Sequence, residues 1–156
     1  MPENKNESFF TVNVAYTTPS GRMHIGHGLG HTISDVALRY GALRSESKTF
    51  FGFGMHSTGK DLIKILQALG EEDNLTQTLQ RYNISKAKRD EILLLAELSE
   101  QVDALVVEYQ GQYERVIKKM GIAMDFDSFF STNQEANQRY TQWTLRKLDE
   151  AGLIVE

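Results

Sequence analysis

Pro19-Ser20-Gly21-Arg22-Met23-His24-Ile25-Gly26-His27 decides the fold through what stands on either side of it. Before it, Phe9 to Ala15 (Phe-Phe-Thr-Val-Asn-Val-Ala) is short, β-prone and almost continuously apolar, the pattern of a strand buried on both faces of a parallel sheet. Thr17 to Gly21 interrupts that strand with the turn residues Pro19 and Gly21. After it, Leu29, Ile33, Val36, Ala37, Tyr40 and Leu43 recur at helical spacing, which predicts a helix from about Ile25 to Leu43. The unit is strand, loop and helix, and the loop delivers two imidazoles to the helix start.

A helix start is a natural anion site. Its first N–H groups lack intrahelical partners, and the aligned peptide dipoles add roughly half a positive charge there. His24 and His27, three residues apart, lie on one side of the first turn and can donate hydrogen bonds to phosphate oxygens. Gly26 between them has no Cβ, so a flat ring can rest on the helix backbone. Preorganised donors of this kind act mainly by stabilising charge that develops in a transition state. His24, His27 and His31 also share a face at metal-ligand spacing, but only Asp35 offers a nearby carboxylate, and no metal is expected. His31 reads as a packed or solvated helix residue. Arg22 reads equally well as a phosphate contact or as loop solvation.

Moving outward, Lys48 to Gly54 repeats the strand character with Phe50, Phe51 and Phe53, while Gly52 and Gly54 suggest a close backbone approach. Thr58 is a candidate N-cap for a helix whose Leu62, Ile65, Leu66 and Leu69 share a face and which ends at Gly70. Two strand–helix units in succession predict an α/β fold with a parallel sheet, residues 9–70 forming the nucleotide-binding unit. Residues 84–120 read as a helical segment, one long helix or two, with Gly111 the weakest point and Gly121 the terminator. Residues 121–156 read as an extended segment, Ile122 to Thr132, and a last helix, Glu135 to Ala151, closed by Gly152. Asp125-Phe126-Asp127 could pair on a metal, but alternate residues of a strand more often face solvent. The 156 residues are expected to form one domain.

Composition narrows the function. With 40% hydrophobic residues and two prolines, the chain is not disordered. It has no cysteine, which removes disulfides and thiolate chemistry and sits comfortably with the cytoplasm. The polar start, Met1 to Ser8, lacks a secretory pattern, and no apolar run approaches membrane length, so no membrane partner is expected. The Asn-x-Ser/Thr triplets at Asn6, Asn74 and Asn83 then read as chance matches. A net charge of −4 argues against bulk electrostatic binding of nucleic acid, though not against a nucleotide site.

The Pro-Ser-Gly-x-x-His-x-Gly-His element resembles the signature of the class I aminoacyl-tRNA synthetases. Ser34-Asp35-Val36-Ala37-Leu38-Arg39-Tyr40 looks like that family's continuation of the first helix, and Gly52-Phe53-Gly54-Met55-His56-Ser57-Thr58-Gly59 is similar to a segment of leucyl enzymes of the archaeal and eukaryotic branch. Lys119-Met120-Gly121-Ile122, Gln142-Trp143-Thr144-Leu145-Arg146-Lys147-Leu148 and Gly152-Leu153-Ile154 also look leucyl, so the likeness spans most of the chain and is weakest between Glu71 and Glu114. The resemblance implies the first half of a Rossmann-like (HUP-type) sheet with an added helical segment. It implies ATP and Mg²⁺ as cofactors, ATP held by Thr18, Pro19, His24, Gly26 and His27, and catalysis assisted by His24 and His27. It further implies that leucine or a similar amino acid lies over Ala15, Tyr16 and Thr17 with its ammonium near His56. tRNA would be a partner.

Two departures qualify what the resemblance implies. Lys60-Asp61 stands where the family has a proline, at the wall of the amino-acid pocket. The family's later Lys-Met-Ser-Lys-Ser loop does not occur; the nearest string, Asn83-Ile84-Ser85-Lys86-Ala87, reads better as a helix start capped by Ser85. Adenylate formation by this chain alone should therefore be slow. A sheet begun by two strands should also expose an apolar edge or face, to be met by a missing carboxy-terminal half or by a second copy. Two other readings stay open: a small nucleotidylyltransferase of the wider His-x-Gly-His group, and a non-catalytic interaction protein that keeps the fold.

Overall fold

The computed structural model describes residues 9–44, 47–58 and 60–154. Met1 to Ser8, including Asn6, and Gly59 of the 52–59 segment lie outside them. In chain order the elements are β1 (Phe9–Thr11), α1 (Ile25–Arg44), β2 (Lys48–Phe50), β3 (Gly52–Met55), α2 (Lys60–Gly70), α3 (Leu75–Tyr82), α4 (Lys86–Leu93), α5 (Leu98–Lys119), β4 (Asp125–Ser131) and α6 (Glu135–Glu150).

Strand pairing among the described residues is parallel throughout, as expected of an α/β fold. β1 runs beside β2, β3 runs beside β4, and a single bridge joins Thr17 to Met55. The stretch 48–55 is thus one path with a change of partner at Phe51. Its first part pairs with β1, and its second with β4 on one side and Thr17 on the other.

The core lies where β3 meets α2 and α5. Phe51, Phe53 and Met55 from the strand path, Leu62, Ile65, Leu66 and Leu69 from α2, and Leu105, Tyr109, Tyr113 and Ile117 from α5 are almost fully buried. α2 owes its place to a clean apolar face, its four buried residues falling at i, i+3, i+4 and i+7.

Several expectations are corrected. The strand expected over Phe9 to Ala15 is regular only to Thr11, and all three residues of β1 are exposed rather than buried on both faces. Among the described residues no strand pairs with its outer edge. The helical segment divides at Leu94 to Glu97, where the Glu100 carboxylate reaches back to accept from the Glu97 N–H at 3.4 Å and starts α5. Gly111 lies inside α5, flanked by buried Tyr109, Gln112 and Tyr113. α2 is described from Lys60, and the expected cap at Thr58 turns on Gly59, which lies outside the described residues. Ser85 does cap α4, its Oγ accepting from the Lys88 N–H at 3.1 Å.

α1 turns His31 and Asp35 inward together with Leu38. His31 and Asp35 are buried, whereas Leu29, Ile33, Val36 and Tyr40 are each 60% exposed, with Ile25 and Leu43 more so. An exposed apolar edge or face is expected of the sheet; the structure exposes one on α1. No helix among the described residues is long and apolar enough to cross a membrane.

Candidate active site

The loop between β1 and α1 is held from below. Pro19 is fully buried and Gly21 is buried, while Ser20 N–H donates to the Thr18 carbonyl at 2.9 Å. The Tyr113 hydroxyl donates to the Gly21 carbonyl at 2.9 Å and lies 3.5 Å from that of Thr18. Burial pushes the Tyr113 phenol up to about 12, against a smaller opposing effect of a backbone bond from Ser20. The phenol therefore remains a donor.

Above this support the imidazoles of His24 and His27 stack, ring centroids 3.8 Å apart and planes 22° from parallel. His24 occupies the N-cap position of α1. Its Nδ1 accepts from the Gly26 N–H at 3.1 Å, and His27 Nδ1 accepts from the His24 N–H at 3.4 Å. With both Nδ1 atoms acting as acceptors, each neutral ring carries its proton on Nε2. Burial lowers the His27 pKa, and the neighbouring His24 lowers it further, so His27 stays neutral at pH 7. The first turn of α1 thus presents two Nε2–H donors.

A Cβ on Gly26 would stand 2.9 Å from His24 Cε1, so any other residue would make that ring shift. Here the space over Gly26 is taken by the His24 imidazole, rather than left open for a flat ligand. Gly54 has the same role one strand away. A Cβ there would stand 2.5 Å from the Tyr16 ring, which lies over the strand and against Phe130 at 5.0 Å between centroids.

The bridge between Thr17 and Met55, with the His56 N–H donating to the Thr17 carbonyl at 3.1 Å, brings Ala15, Tyr16 and Thr17 beside His56. His56 stands at the carboxyl end of β3, the end of a parallel strand at which α/β folds bind ligands, and the isolated bridge sets Ala15 to Thr17 beside it. Ala15, Tyr16 and His56 are exposed; Thr17 is buried.

Below them lies a polar group that the sequence did not reveal. Ser131 Oγ donates to Ser57 Oγ at 2.8 Å, Thr132 Oγ1 accepts from the Ser57 N–H at 2.8 Å, and Ser131 also bonds Asn133. It fixes the segment just after His56.

From sequence, Asp35 stands out only as a carboxylate near the histidine face and Arg39 only as part of a resemblance; the structure pairs them. Asp35 accepts from Arg39 Nε and from the Ala123 N–H, both at 2.8 Å, and Arg39 Nη2 donates to the Gly121 carbonyl at 2.8 Å. Burial pulls the Asp35 pKa up, but the Arg39 bond, the Ala123 amide and the Arg39 charge together take it below the usual value. This clamp ties α1 to the chain entering β4. Asp125 is engaged with its own strand, accepting from the Asp127 N–H and the Ser128 hydroxyl. Among the described residues no group of three or more His, Cys, Asp or Glu could hold a metal ion.

Comparison with known proteins gives a consistent result. The family model described as tRNA synthetases class I (I, L, M and V) matches residues 1–156. A leucine–tRNA ligase of Methanothermobacter thermautotrophicus is 31% identical over 153 residues, 98% of this chain and 16% of that protein. One of Pyrobaculum aerophilum is 32% identical over 151 residues, 94% and 15% respectively. In structure the chain is similar to the LeuRS of Agrobacterium radiobacter K84, solved in a ternary complex with tRNA and LeuAMS, with a TM-score of 0.58 at 16% identity, covering 99% of this chain and 16% of that one. The chain therefore spans about a sixth of the length of the relatives it matches.

Proposed function

The chain belongs to the class I tRNA synthetases, and from that premise we propose that it is the ATP- and amino-acid-binding part of a leucyl-type enzyme, built on the first half of a Rossmann-like sheet. The observation that carries this reading is the stacked pair His24 and His27, each with Nδ1 engaged by a backbone N–H and Nε2–H left to donate.

In this reading the phosphates of ATP lie at the start of α1 against His24, Gly26 and His27, with Thr18 beside the approach and the buried Pro19 holding the loop from beneath. The amino acid lies over Ala15, Tyr16 and Thr17, its ammonium toward His56. Its carboxylate oxygen forms a bond to the α-phosphorus while the bond to the β-phosphate oxygen breaks, and pyrophosphate leaves with the electron pair. The two Nε2–H groups meet the charge that builds on the phosphate oxygens. For adenine to rest on Gly26, the His24 ring must swing aside, giving up its bond from the Gly26 N–H and its stack on His27, while His27 keeps the bond from the His24 N–H that orients its Nε2–H. Mg²⁺ would arrive with the triphosphate; no described carboxylate group is arranged to hold it, and no step runs through it. The activated amino acid would pass to tRNA, in the cytoplasm.

The leucyl reading is supported by the names of the relatives over nearly the whole chain, and nothing favours the small nucleotidylyltransferase. The test is ATP affinity of the chain and pyrophosphate exchange into ATP with each amino acid, in the wild type, His24→Ala and His27→Ala. Leucine-stimulated exchange reduced about 10²- to 10³-fold by either substitution is the expected result. Exchange left unchanged by both substitutions would overturn the assignment of the imidazoles.

A further inference from the structure

Beside the loop that carries the imidazoles, a cavity of about 300 Å³ is lined by Arg22 from that loop, Asn83 from the end of α3, and Gln112, Tyr113, Arg115 and Lys119 from α5. Gln112, Arg115 and Lys119 fall at i, i+3 and i+7, so one stripe of α5 faces it. Arg22 reads from sequence as either a phosphate contact or a solvated loop residue; the structure puts it in a built site.

Arg22 is positioned rather than free. Its Nε donates to Asn83 Oδ1 at 2.9 Å. Asn83 is fixed in turn by Gln112, donating from Nδ2 to Gln112 Oε1 at 2.6 Å, while Gln112 Nε2 donates to the Asn83 carbonyl at 2.9 Å and to Glu108 at 2.8 Å. Gln112 is buried, and Asn83 holds the left-handed conformation that ends α3. This relay uses one donor of the guanidinium and holds its plane, leaving the terminal nitrogens for a ligand.

The charge is one-sided. Arg115 and Lys119 form no ion pair among the described residues, whereas Lys118, on another face of α5, is paired with Glu114. The one carboxylate in the relay, Glu108, already accepts from Gln112 and lines the adjoining groove with Arg22. A chain of net charge −4 thus gathers three cations around one cleft. A planar fork with two further cations and a carboxamide matches a phosphate group.

We propose that this cleft is a phosphate-binding subsite, separate from the paired imidazoles, with Arg22, Arg115 and Lys119 as its cationic contacts. Two ligands supply that chemistry: the terminal phosphates of a nucleoside triphosphate reaching around the loop, or a backbone phosphodiester of an RNA strand. The subsite does not depend on the assignment of His24 and His27.

The test is calorimetric or fluorescence titration of the chain with tripolyphosphate, ATP and a short single-stranded RNA, at two salt concentrations. The proteins compared are the wild type, Arg115→Gln with Lys119→Gln, and Lys86→Gln with Lys147→Gln as a control of equal charge. Both cleft positions are exposed and helical, and glutamine keeps helix propensity, so folding should survive; circular dichroism checks it. The cleft pair should weaken at least one ligand about tenfold or more, and the control pair should not. Loss confined to tripolyphosphate and ATP assigns the subsite to the nucleotide. Loss confined to RNA, with a shallower salt slope, assigns it to a backbone phosphate. Loss with all three supports a general phosphate site. No binding by the wild type, no change in the cleft pair, or an equal change in the control pair would overturn the proposal.

Discussion

The hydroxyl of Tyr113, buried in the middle of α5, donates to the backbone carbonyl of Gly21, 92 residues away in sequence. Through that bond the helical segment supports the loop that carries the histidines. Tyr113→Phe keeps the ring and leaves the carbonyl unpaired, which should cost about 1–2 kcal/mol of stability. Chemical denaturation at pH 7 measures it. Because the phenol is raised to about 12 in the folded protein, its contribution is complete below pH 10 and lost as pH rises toward 12. The two proteins should converge in that window, and a constant difference up to pH 12 would mean the hydroxyl is not the cause.

Asp35→Asn tests the clamp on the entry to β4. The substitution removes the charge opposite Arg39 and misplaces one acceptor for the Ala123 N–H, so it should destabilise by about 2–3 kcal/mol at neutral pH. Asp35 has a folded pKa below its unfolded value, so the stability it confers is present above pH 4 and disappears as pH falls through the folded value. Urea midpoints should therefore differ at pH 7 and approach each other as the pH is taken well below 4.

His31 is buried, and among the described residues its Nδ1 has no hydrogen-bond partner. Burial lowers its pKa, and His27 lowers it further; His27 is itself lowered. The unfolded chain takes up these protons first as pH drops below 6.5, so stability should fall between pH 7 and pH 5. His31→Leu removes an unsatisfied buried atom and should raise stability by about 1 kcal/mol while flattening part of that slope. An unchanged slope would show that the ring is reached by water or a partner in solution.

The outer stripe of α1 gives the fourth prediction. Ile33→Glu with Val36→Lys breaks a contiguous apolar surface without touching the core. Stability should change by no more than about 0.5 kcal/mol for each substitution, while binding of a hydrophobic dye and self-association in sedimentation should decrease. A large loss of stability would mean that the stripe is packed in solution.

What could be read in advance was local. The stripe at Leu62, Ile65, Leu66 and Leu69 marks α2 because its periodicity and its burial coincide. α1 shows where periodicity misleads: its spacing gives the helix correctly, yet the apolar side faces solvent and His31 and Asp35 face inward. α3 escaped notice because three apolar residues, Leu75, Leu79 and Tyr82, behind an acidic loop make too short a pattern. Leu94 to Glu97 contain no glycine or proline, so nothing in them announces the break before α5. In the site, the residues around the two histidines were legible because they are neighbours in the chain. Tyr113, Gln112 and the Ala123 amide were not, since each reaches its partner across 29 to 92 residues.

Phe51 carries a consequence of its own. Its carbonyl accepts the Asp125 N–H at 2.8 Å at the point where the path from Lys48 to Met55 exchanges β1 for β4. A strand protected in turn by each neighbour opens last. Its amides from Phe53 to Met55 should hold deuterium out longest, and His56, at its far end, inherits that rigidity.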